Sequence, residues 1–141
     1  MTPFSILAPV FVQVALTFIL AVAMASSRLH AVRTRVVRPS EIALRQPAWP
    51  RRILQLSNCY HNQLESPLLF YAVVAFAMIT AQTDLIFVVL SWLYVLARII
   101  HAAIHVTTNH LLHRFVAFGA SIVFLFALWA YFAVSLMAAS L

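Results

Sequence analysis

The sequence predicts an all-α integral membrane protein, a single four-helix bundle over residues 1–141. Three observations carry this reading. The chain is 65% hydrophobic and only 9% charged, whereas a soluble domain carries about 25% charged residues. Its apolar residues gather into four stretches, each able to cross the roughly 30 Å hydrocarbon core as a helix. Its nine basic residues are all arginine, and seven fall between the first two apolar stretches.

The first span runs from about 4 to 26. Ala23-Met24-Ala25 resembles a small-residue cleavage site, but no positive charge precedes the apolar run, and the run is as long as a bilayer span. The first helix is therefore read as retained. The loop after it, about 27–50, carries Arg28, Arg33, Arg35, Arg38 and Arg45, with Pro39, Pro47 and Pro50; Arg51 and Arg52 follow. Arginine crowded into one loop marks the cytoplasmic side of a membrane. The net charge of +6 thus reflects topology and does not point to nucleic acid.

The second span covers about 50–81. Its apolar part begins only at Pro67, whose ring removes a backbone bond to Gln63 and invites a kink. Span three covers about 84–106, with Asp84 as its expected cap after the two-residue loop Gln82-Thr83. Span four covers about 114–136, after a loop containing Asn109, His110 and His113. Arginine marks loops one and three but not loop two, so both termini are expected on the non-cytoplasmic side, in a bacterial inner membrane. Trp49 is placed to anchor at the interface. Cys59 is the only cysteine, which excludes an intrachain disulfide and suits an inert buried thiol.

The functional signal lies in polar residues at membrane depth. Arg51, Gln55, Asn58, Asn62 and Glu65 recur at spacings of 4, 3, 4 and 3, along one helical face. Tyr94, Arg98, His101, His105 and Thr108 repeat the pattern on span three. The two stripes are expected to face each other or a shared cavity. Arg98 falls about 13 Å from the cytoplasmic end of its helix, where a lone arginine costs roughly 3 kcal/mol on insertion scales. Glu65, at similar depth, is its expected ion-pair partner. His101 and His105, at i and i+4, also admit a metal or haem reading. No matching set of carboxylate or cysteine ligands accompanies them, and no metal is expected.

At these segments the chain resembles a bacterial-type member of the MAPEG family, the membrane-associated proteins in eicosanoid and glutathione metabolism. The family's second helix carries an arginine, an asparagine four residues on and a glutamate three further. Asn62 and Glu65 match the last two, and Asn58 stands in the place of the arginine, with Arg51 on the same stripe. The third-helix pattern is an arginine, a histidine or tyrosine three later and a tyrosine four beyond. Arg98, His101 and His105 take these places, histidine replacing the final tyrosine. Arg114 matches the arginine that opens the fourth helix. The resemblance implies a homotrimer in contact with membrane lipids, with glutathione as co-substrate between subunits and a lipophilic small-molecule substrate entering from the bilayer. It implies that Asn62 and Glu65 hold polar groups of glutathione, that Arg98 holds a carboxylate and that Arg114 stabilises the thiolate. Arg51, Asn58, His101 and His105 complete the expected binding set. The implied activity is that of a glutathione-dependent transferase or peroxidase acting on lipophilic electrophiles. The alternative is a non-catalytic membrane subunit or lipid-binding scaffold that retains the fold.

Overall fold

A computed structural model describes residues 1–42 and 48–140. Arg45 and Pro47 of the basic loop lie outside the described residues. The elements in order are α1 (Pro3–Arg33), α2 (Pro39–Ile42), α3 (Arg51–His61), α4 (Ser66–Ile79), α5 (Leu85–Val106) and α6 (Leu111–Ala139). Among the described residues, four helical segments are long and apolar enough to cross a membrane: α1, α3 with α4, α5 and α6. The chain is an integral membrane protein.

Helix α1 opens on Thr2, whose hydroxyl accepts from the Ser5 N–H. It continues past residue 26 to Arg33, because nothing in Ser26–Arg33 breaks a helix. It stops where Arg35 takes φ 58°. The polar end of span one is therefore helical and carries Arg28 and Arg33 on a rigid rod.

Span two is broken rather than kinked. Pro67 cannot donate to the Gln63 carbonyl, and it sits in the first turn of a new helix, α4. Between the two helices the chain closes tight turns, Gln63 N–H to Tyr60 O and Leu64 N–H to His61 O, each 2.9 Å. Asp84 caps α5, its carboxylate accepting from the Phe87 N–H at 2.9 Å, and Tyr131 of α6 donates to its other oxygen. The third loop is shorter than the sequence suggests. Asn109 takes φ 51°, and α6 begins at Leu111, so Arg114 lies inside its first turn.

α5 and α6 form the most extensive helix pair, while α1 packs on α3 and α5. Phe70, Val73 and Ala77 of α4, Phe87 and Val95 of α5, and Leu125 and Leu128 of α6 fill an apolar core. Leu20, Cys59 and Ala102 form a smaller cluster. Between and beyond these packed clusters, polar side chains occupy the bundle interior.

Candidate functional site

Helix α5 carries the site. Tyr94, Arg98, His101 and His105 are all buried, at spacings of 4, 3 and 4 that aim them into the bundle. Arg98 is 0% exposed, so its charge must be met by protein or ligand. Its Nη2 donates to the Asn62 carbonyl at 2.5 Å and to Gln63 Oε1 at 3.1 Å. The ring of Phe118 lies 5.8 Å from the guanidinium carbon. Its Nε and Nη1 have no hydrogen-bond partner among the described residues.

The expected Arg98–Glu65 ion pair is not how the guanidinium is held. The inward face of span two runs one residue off the stripe that spacing picks out, through Leu56, Cys59, Gln63 and Ser66. Gln63 turns inward and is buried, and Glu65 is left exposed at the head of α4. The same shift corrects the first stripe. Arg51, Asn58 and Glu65 lie on the outside of the chain. The residues that meet α5 are instead Gln55, Cys59, Gln63 and Ser66. Gln55 donates to the His105 carbonyl at 2.5 Å. The Cys59 sulfur lies 3.9 Å from the Ala102 carbonyl. Ser66 and Tyr94 share a 3.3 Å hydrogen bond.

Gln63 is the hub that stripe spacing missed. Its Oε1 accepts from Arg98 and, at 3.0 Å, from Gln13 Nε2 of α1. Gln13 is itself fully buried. A glutamine in the middle of an apolar span was the available signal, since a lone amide in lipid-depth sequence needs a partner.

At the loop-three end, Arg114 Nη1 donates to Asn109 Oδ1 at 2.8 Å and lies 3.1 Å from His105 Nε2. A guanidinium only donates. The imidazole nitrogen facing it is therefore the acceptor, and the ring is neutral with its proton on Nδ1. That Nδ1 and the Nδ1 of His101 are buried without a partner among the described residues. The two rings meet edge to face at 5.6 Å.

Asn62, His101 and Arg114 line a cavity of about 200 Å³, walled by Leu111, Phe115 and Phe118. Leu111 and Phe115 are exposed, so the cavity is a groove in the outer face of the chain. It is smaller than the roughly 300 Å³ at the lower end of small-molecule sites. The structure thus brings Asn62, Arg98, His101, His105 and Arg114 together, and sets Arg51, Asn58 and Glu65 on the surface. Two guanidiniums with spare N–H groups suit carboxylates or a thiolate. Among the described residues, no three His, Cys, Asp or Glu side chains converge as a metal site requires.

Comparison with known proteins agrees with the sequence pattern. The model for the MAPEG family matches residues 6–134, nearly the whole chain. No curated protein and no solved structure matches.

Proposed function

This chain belongs to the MAPEG family, and from that premise we propose that it is a glutathione-dependent transferase or peroxidase acting on lipophilic electrophiles. The observation that carries this reading is the groove lined by Asn62, His101 and Arg114, backed by the buried, under-bonded guanidinium of Arg98. Glutathione brings two carboxylates and a thiol whose thiolate adds to an electrophilic centre or reduces a peroxide. Arg98 has free N–H groups for a carboxylate. Arg114, at the groove, holds the thiolate. A free thiol near pKa 8.5 is only a few per cent ionised at neutral pH, and an adjacent guanidinium that lowers it by ~1–2 units makes the thiolate abundant. The released proton passes to water at the groove mouth.

The active form is a homotrimer in this proposal. The groove holds only part of a tripeptide, so a second wall is needed. Asn58 and Glu65 are exposed on a span that lipid would otherwise surround. A charged side chain left in lipid near a span centre costs roughly 3 kcal/mol or more. A neighbouring subunit covering that face supplies the wall and removes the cost. The groove also opens between exposed Leu111 and Phe115, a route for a lipophilic substrate.

The second reading, a non-catalytic subunit, has support in the Arg114–His105 contact, which already engages Nη1 of the guanidinium that the thiolate needs. One titration separates the two. Millimolar glutathione raises the melting temperature of the purified protein by mass action, and Arg114→Ala cuts turnover far more than binding. No thermal shift at millimolar glutathione rejects the enzymatic reading.

A further inference from the structure

Another cavity among the described residues is larger than the groove above. It has a volume of about 700 Å³ and lies at the arginine-rich end of the bundle, between the last turns of α1 and the first turn of α3. Its wall carries basic side chains: His30 and Arg33 come from α1 and Arg52 from α3. Arg33 is exposed, and its guanidinium makes no hydrogen bond or ion pair among the described residues. Arg52 is anchored by donating Nη1 to the Val106 carbonyl, which fixes the position of the rest of its fork. None of the described lining residues is acidic.

The hydroxyls on this wall are already committed. Ser26 and Ser27 donate to the Ala23 carbonyl, and Thr34 to those of His30 and Ala31. The free donors are thus the charged ones, with the uncapped start of α3 beside them. Its cap is Pro50, which makes no side-chain hydrogen bond, so the Arg51 and Arg52 N–H groups are unclaimed among the described residues.

Two further features select the kind of anion. Leu29 and Val36, both on the cavity wall, are exposed, giving the cationic pocket an apolar lip. Trp49 adjoins Pro50 of the wall and lies under the Arg28 guanidinium at 5.1 Å. An indole in that position marks the depth of lipid headgroups. A basic pocket with an apolar lip at headgroup depth matches a phosphate diester that carries acyl chains.

We propose that this cavity binds the phosphate headgroup of an acidic glycerophospholipid, with Leu29 and Val36 against its glycerol and acyl chains. The site is separate from the groove at Arg114 and stands whether or not glutathione binds there.

Native mass spectrometry of the purified full chain, titrated with phosphatidylglycerol or phosphatidylcholine in neutral detergent, tests it. Phosphatidylglycerol is retained at one per chain at concentrations where phosphatidylcholine is lost. Arg33→Gln weakens that retention about fivefold, the worth of one arginine near an anionic surface. Arg35→Gln makes the same change in charge outside the cavity and leaves retention unchanged. Leu29→Glu, at an exposed position, places a carboxylate on the lip and weakens retention at least as much as Arg33→Gln. Equal retention of the two lipids, or equal effects of Arg33→Gln and Arg35→Gln, overturns the proposal. Inorganic phosphate that displaces phosphatidylglycerol at matching concentrations also overturns it, showing a site for free phosphate instead.

Discussion

Replacing Gln63 by leucine removes the acceptor that two buried donors share, Arg98 Nη2 at 3.1 Å and Gln13 Nε2 at 3.0 Å. A hydrogen bond to a charged group is worth about 1.5–3 kcal/mol, and membrane-buried neutral bonds average about 0.6 kcal/mol. Arg98 keeps the Asn62 carbonyl, which limits the loss. Gln13 keeps nothing, since its Oε1 already lacks a partner among the described residues. Gln63→Leu should therefore cost about 2–4 kcal/mol. Gln13→Leu should cost only about 0.5–1 kcal/mol, because Gln63 still serves Arg98. The double variant should be no worse than Gln63→Leu alone, because the orphaned Gln13 amide is gone. The sum of the single effects then exceeds the double by about 0.6–1.7 kcal/mol. Reversible unfolding in detergent, followed by helical circular dichroism for all four proteins, measures the cycle. Single effects that add to within ~0.3 kcal/mol would refute a shared acceptor.

Two more outcomes follow from other parts of the bundle. The Asp84 carboxyl is held below its ordinary value, first by the hydrogen bond from Tyr131 and then by the Phe87 N–H. A depressed folded value stabilises the protein above the unfolded carboxylate range, and that contribution is lost as pH falls through the folded value. Tyr131→Phe should move the Asp84 titration upward, read by carbon NMR of the carboxyl, and an unmoved titration would dissociate the two groups. Cys59 is 0% exposed, with its sulfur near the Ala102 carbonyl. It should resist a water-soluble maleimide until the bundle unfolds; rapid labelling of the native protein would show that α3 separates from α5.

The four spans were legible because apolar length is a direct statement about lipid, and the Asp84 cap because its chemistry is local. Arg98, His101 and His105 were legible as one buried face because α5 is an uninterrupted helix and 3.6-residue spacing holds along it. The facing stripe was misread by a rotation. Regular polar spacing marks one face of a helix, but packing buries the face one residue over, and the exposed stripe runs through Arg51 and Asn58 before the break as well as Glu65 after it. Arg51, Asn58 and Glu65 keep their regular spacing in sequence yet lie on the outside. Gln63, one residue off that stripe, takes the inward place. The Gln13–Gln63 contact spans fifty residues, and periodicity within one helix cannot reveal which amide on another helix will meet it.

The central claim is that Arg114 stabilises a glutathione thiolate in the groove it shares with Asn62 and His101. Ultraviolet difference absorbance on titrating glutathione into the purified protein at neutral pH reads that thiolate directly. The account predicts a saturable thiolate band that Arg114→Ala abolishes while calorimetry still detects glutathione binding. A protein that gives no thiolate band at saturating glutathione, or an Arg114→Ala variant with an undiminished one, would contradict it.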